Sequence, residues 1–141
     1  MRIESKKTIL EFDKNSKESF DLVKRKLAGL GKEPNNEAVF MFAMAYGFMN
    51  GNKVDSVTRS GTGARVEYLK PENELLMAAI QLADTGKVES LLNQEEQFDL
   101  AERYAEGGIR LLKLSAEEQG DFLQDISAQM NQIFKTLKTE E

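Results

Sequence analysis

The stretch from Glu37 to Gly51, EAVFMFAMAYGFMNG, sets Phe40, Met41, Phe42, Met44, Tyr46, Phe48 and Met49 into one short segment of an otherwise polar chain. A helix lying on a protein surface shows one apolar stripe and one polar face. This segment has no polar face between Ala38 and Met49, so it is expected to be buried on every side. The run falls well short of the roughly 20 residues needed to cross a bilayer, so its cover is protein. That cover comes either from the chain's own helices or from a second copy.

The flanking pattern supplies candidates. KKTILEF alternates polar and apolar residues and is read as a strand from Lys6 to Phe12. The next stretch spaces Phe20, Val23, Leu27 and Leu30 as an amphipathic helix, with Asp13, Asn15 or Ser16 as its cap and Gly31 as its stop. Asn35 or Asn36 then caps the apolar helix. Val54 to Arg59 and Ala64 to Leu69 alternate between glycines and read as a small strand or loose hairpin near residues 54–69. A third helix begins at Pro71, places Leu75, Leu76, Ala79, Ile80 and Ala83 on its core face, and stops at Gly86. A fourth opens with the Asn93 to Glu96 capping spacing and carries Phe98, Ala101, Ala105, Gly108 and Leu112 on one side. A fifth, from Ala116 to Lys138, opens with Ser115 and Glu118 at the same spacing, with Gly120 as a hinge near its start. The expected fold is mainly α with a minor β part. It forms one domain over residues 1–141, in which residues 51–114 are a helical core and residues 115–141 a terminal amphipathic helix.

Absences narrow the chemistry. With 141 residues the chain is long enough for one core without staples, and it has no cysteine and no histidine. Thiol nucleophiles, disulfides, imidazole bases and Cys/His zinc sites are excluded. The start, MRIESKKTILEF, lacks the continuous apolar core of a signal peptide, so a cytoplasmic protein is expected. A net charge of −5 opposes broad attraction to nucleic acid or anionic membranes. The region from Lys14 to Lys32 is nevertheless basic, and Lys17, Lys24 and Arg25 are its candidate DNA contacts.

Strand, amphipathic helix, short turn and very apolar helix follow one another from Lys6 to about Asn50, and in this order they resemble a ribbon-helix-helix module. The resemblance implies that two chains pair their strands and interlock their helices. That would explain an apolar helix covered all round, although the central helix of a monomeric helical domain has the same pattern. Base reading would fall to Lys6, Thr8 and Leu10 or to Lys7, Ile9 and Glu11. Leu10 offers no hydrogen bond and Glu11 would lie near phosphates, so the strand suits DNA poorly.

A second resemblance covers about Asn36 to Lys113. EAVFMFAMAYGFMNGNKV, ARVEYL, LLMAAIQLADTGKVESLLNQEEQ and FDLAERYAEGGIRLLK are similar to a small family of proteins associated with DNA-phosphorothioation (Dnd) systems, with LADTGKVESLL and YAEGGIRLL weighing most. It implies an accessory protein in prokaryotic defence of DNA against foreign genomes, beside sulfur-modification and restriction proteins. It implies no catalytic residues.

The residues themselves leave few sites. Phe40, Met41, Met44 and Phe48 are the candidate self-association residues, with a dimer favoured. Phe122, Ile126, Met130, Ile133 and Leu137 form a stripe for docking in a groove of the same chain or of a partner. Gly107 and Gly108, inside a helical pattern, call for either close approach of a neighbouring helix or chain, or a break. SGTGAR can offer backbone amides and Arg65 to a phosphate but lacks the Walker lysine, and a plain turn is the stronger expectation. Asp99, Glu102 and Glu106, and likewise Glu117, Glu118, Asp121 and Asp125, are expected on solvated helix faces. No acidic residue is expected in the core, and neither a cofactor nor a metal is called for. The expected function is that of a non-catalytic accessory subunit acting through protein contacts and self-association. A ribbon-helix-helix-like DNA-binding dimer or transcriptional regulator is the alternative.

Overall fold

The computed structural model describes residues 2–118 and 121–139, except the side chains of Leu30, Ile133, Phe134 and residues 136–139. The elements are β1 (Ile9–Glu11), α1 (Lys17–Leu27), α2 (Asn36–Met49), β2 (Gly63–Arg65), α3 (Pro71–Thr85), α4 (Gln94–Glu117) and α5 (Phe122–Thr139), with three short 3-10 turns between them. The protein is therefore mainly α with a minor β part, as expected. None of the helices among the described residues is long and apolar enough to cross a membrane.

The two strands pair antiparallel, Leu10 opposite Ala64, so the expected N-terminal strand forms but is short. Val54 to Arg59 forms no strand, and the run from Ala64 yields one turn of strand followed by a 3-10 turn over Val66–Tyr68.

The apolar α2 is the centre of the molecule. It packs chiefly on α4, with α1 and β2 also against it. Val39, Phe40, Met41, Ala43, Met44, Tyr46 and Gly47 are buried, while Phe42, Ala45 and Phe48 are half-buried and Ala38 and Met49 exposed. Burial is thus extensive but stops at the helix ends. Leu10, Phe12, Phe20, Val23, Met77, Ile80, Phe98, Ile109 and Leu112 complete the core, with the Phe12 and Phe20 rings stacked 3.8 Å apart.

Small residues let the two central helices touch. A Cβ at Gly47 would lie 2.1 Å from the Tyr104 carbonyl oxygen, and one at Gly107 would lie 2.0 Å from that of Asn52. Gly108, where a Cβ would meet Ala43, therefore marks a close helix approach within the chain and Gly107 a close approach of the loop that follows α2, and α4 continues through both without a break. The freed polar groups are also used: Asn52 donates its side-chain amide to the Gly107 carbonyl at 2.7 Å.

Helix ends follow the expected chemistry in most places. The Asn35 side chain accepts from the Ala38 amide at 2.9 Å and the Asn93 side chain from Glu96 at 3.1 Å. Gly86 ends α3 in the left-handed conformation, φ 68°, which costs glycine little. The last boundary differs from expectation. Ser115 lies inside α4, which continues to Glu117, and Asp121 starts the final helix by accepting from the Leu123 and Gln124 amides. Gly120 lies outside the described residues.

The face assigned to α3 must be corrected. Met77, Ile80 and Gln81 point into the core, whereas Leu75, Leu76, Ala79, Leu82 and Ala83 face outward. The helix is apolar on both sides, and a polar residue decides which side is inside. Buried Gln81 donates to the Ser90 and Asn93 carbonyls and accepts from the Gln97 side chain at 3.1 Å. These bonds satisfy an amide that would be costly to bury alone, and they tie α3 to the 3-10 turn Val88–Leu92 and to α4.

Candidate functional site

The most elaborate polar arrangement lies where β1 and the start of α1 meet α4. Antiparallel pairing directs alternate backbone groups of β1 toward β2, as in the bond from the Phe12 amide to the Thr62 carbonyl at 2.9 Å. The Glu11 amide faces the other edge. It donates to Glu102 Oε2 on α4 at 2.7 Å, and Lys7 Nζ reaches the same oxygen at 3.1 Å. One turn further along α4, Glu106 Oε2 accepts from Ser16 Oγ and from Arg110 Nε, each at 2.7 Å. Ser16, the α1 cap residue, therefore bonds α4 instead of its own helix.

These contacts correct the expectation of a solvated acidic face. Glu102 and Glu106 are buried, Glu106 to 1% exposure, and Asp13 is buried beside them; Asp99 alone of that set is exposed. Burial raises the pKa of Glu102 and outweighs its bonds to Glu11 and Lys7. Burial likewise raises that of Glu106 against the hydrogen bonds from Ser16 and Arg110. Glu106 Oε1 has no hydrogen-bond partner among the described residues.

The glycine loop is part of the same arrangement. Burial would raise Glu11, but the amides of Gly61 and Ser60 and the Lys7 ammonium overcome it and hold the carboxyl below its ordinary range. Those amides donate to Glu11 Oε1 at 2.8 and 3.1 Å. SGTGAR is thus a carboxylate cradle filled from within the chain, and Arg65 pairs with Glu67 at 3.2 Å on the surface. Asp13 holds the preceding residues by accepting from the Thr58 amide at 3.0 Å. No cluster of three or more acidic residues among the described residues has the geometry to hold a metal ion. The seam binds the N-terminal strand, the 56–62 loop and α4 to one another.

A second polar contact joins the far side. Tyr104 donates its hydroxyl to Asp84 at 2.6 Å and Lys53 pairs with the same carboxylate at 2.9 Å. Burial, followed by the bond to Asp84, pushes the Tyr104 phenol up to about 12. Asp84 itself is held below its ordinary range, since the Tyr104 and Lys53 bonds outweigh its burial.

The residues singled out from the sequence fall into three places. Phe40, Met41 and Met44 lie in the chain's own core, and Phe48 packs edge-on to Tyr104 with centroids 5.5 Å apart. Their cover comes from the same chain: α2 packs chiefly on α4, and the Phe40 ring lies 6.3 Å from that of Phe12. Lys17 and Arg25 are exposed on α1, while Lys24 is half-buried and donates to Asn36 at 2.9 Å. Phe122 and Ile126 are buried in the core of the same chain, and Met130 is 46% exposed. The side chains of Ile133 and Leu137 lie outside those described. α5 also crosses near α2, where Tyr46 donates to Gln129.

Sequence reasoning missed the buried carboxylates and the outward face of α3. The former carried a usable signal: Glu102 directly follows Ala101 and Glu106 directly follows Ala105, two alanines of the apolar side of that helix. Compared with protein-family models, curated proteins and solved structures, the chain matches none of them.

Proposed function

We propose that the protein is a non-catalytic accessory subunit of a prokaryotic DNA-modification and phage-defence system of the phosphorothioation type, working in the cytoplasm through protein contacts and self-association. The observation that carries this reading is the outward face of α3, where Leu75 is 72% exposed beside Leu76, Ala79, Leu82 and Ala83. Contiguous apolar side chains left to water mark contact surfaces more often than chemistry. The polar seam supports the same reading, because its carboxylates hold β1, Ser16 and the glycine loop in place. The resemblance of LADTGKVESLL and YAEGGIRLL to phosphorothioation-associated proteins supplies the system.

The test is co-expression with the sulfur-modification and restriction proteins of one such system. A tagged chain should retain one of them at fixed stoichiometry, and deletion of its gene should lower phage restriction. Absence of both effects would contradict the proposal. A DNA-binding dimer or regulator is the second reading, favoured by the exposed Lys17 and Arg25 on α1.

A further inference from the structure

The outward face of α3 has a composition and charge pattern that fit a second copy of itself. Around the helix Glu72, Leu75, Leu76, Ala79, Leu82 and Ala83 share one side, since residues three, four and seven apart stack on one face. Alanines along the middle allow close approach, and leucines flank them on both sides. Glu72 lies at the N-terminal end of the face, and exposed Lys87 follows the Gly86 stop at the other end. Neither side chain has an ion-pair or hydrogen-bond partner among the described residues of its own chain.

We propose that two chains associate through α3, antiparallel and about a two-fold axis at Ala79, with Leu75 of each copy against Ala83 of the other and Glu72 beside Lys87. An isologous contact must be complementary to itself, and this face is: the axis carries the acidic end of one helix onto the basic end of the other. A parallel pairing would set Glu72 against Glu72 and Lys87 against Lys87. Antiparallel packing also opposes the helix dipoles favourably. The proposal rests on the self-association in the functional reading and assigns it to α3 in place of the buried α2 residues.

The chain has no cysteine, so Ala79→Cys introduces a single thiol at the proposed axis. Under mild oxidation the variant should form a disulfide-linked dimer within the concentration range in which the wild type is dimeric, whereas Cys placed at exposed Glu95 should not. Leu75→Arg, at a largely exposed position, should keep the helical circular-dichroism spectrum and weaken association by about tenfold or more. Glu72→Lys and Lys87→Glu should each weaken it, and the double swap should restore it. Association untouched by Leu75→Arg, together with no selective Ala79→Cys crosslink, would overturn the α3 contact while leaving self-association standing. A wild type that stays a single chain would overturn both.

Discussion

A Cβ added at Gly108 would lie 1.8 Å from the carbonyl oxygen of Ala43, so α2 and α4 meet backbone to backbone at that point. No side-chain rotation relieves such a contact, because the obstructing atom belongs to the opposite helix. Gly108→Ala must separate the helices or bend one of them, and overpacking of this kind costs about 3 kcal/mol. Gly47→Ala should behave alike, its Cβ meeting the Tyr104 carbonyl. Urea unfolding followed by circular dichroism should show both midpoints falling well below that of the wild type. Wild-type midpoints in both variants would show that the helices do not approach this closely.

The two sets of carboxyls have opposite signs of pH dependence. Glu102 and Glu106 have raised values from burial, so in the fold they keep protons that the unfolded chain releases near its ordinary value of 4.5. Their favourable contribution is complete below that value and is lost as pH rises through the raised values. Glu11 and Asp84 have lowered values, so their contribution is present above the ordinary range and is lost as pH falls through the lowered ones. Thermal stability should therefore be greatest in mild acid and decline on both sides. Glu106→Gln keeps an acceptor for Ser16 and Arg110 while removing the charge, and should raise the melting temperature near pH ~7.5 and flatten the decline toward alkali. A melting temperature that rises steadily from mild acid to that pH in the wild type would contradict the assignment.

The start of α5 belongs to the core of its own chain. Phe122 and Ile126 are buried and Leu123 lies against Gly29, where an added Cβ would come within 3.3 Å of it. Phe122→Ala should cost about 3 kcal/mol, the usual range for a buried phenylalanine. Met130→Ala, at a half-exposed position, should cost far less. A chain ending at Glu118 should melt at a much lower temperature than the full chain; equal melting temperatures would mean that α5 is dispensable and free to dock elsewhere.

Much of this architecture was legible because the cues were local. Asn35 and Asn93 announce helix starts through their own side-chain oxygens, and Gly86 announces a stop through its backbone. The inside of α3 was not legible: Leu75, Ala79 and Ala83 make as good an apolar stripe as Met77 and Ile80, and only the distant carbonyls of Ser90 and Asn93 make Gln81 the buried residue. Glu102 was misplaced for a similar reason. Its burial depends on the unpaired edge of β1, more than 90 residues away in sequence as measured from Glu11. The apolarity of Phe40, Met41, Met44 and Phe48 marks α2 as a buried helix but carries no information on which chain covers it.

DNA affinity should be weak. The chain carries net charge −5, and Lys24 is engaged by Asn36. Replacing Lys17, Lys24 and Arg25 with alanine should leave retention on duplex DNA unchanged. Each phosphate contact contributes about 0.9 to the slope of log affinity against log salt, so a contacting helix would reveal itself in a salt titration. Tight, salt-sensitive binding by the wild type that vanishes in the triple variant would favour the regulator instead.

The mass of the untagged wild-type protein by light scattering, at about 10 to 100 µM, tests most directly whether the chain works by self-association through α3. The wild type should scatter with the mass of two chains, and Leu75→Arg with a lower mass, shifted toward that of one chain, at the same concentrations. A single-chain mass for the wild type throughout that range would contradict self-association through α3.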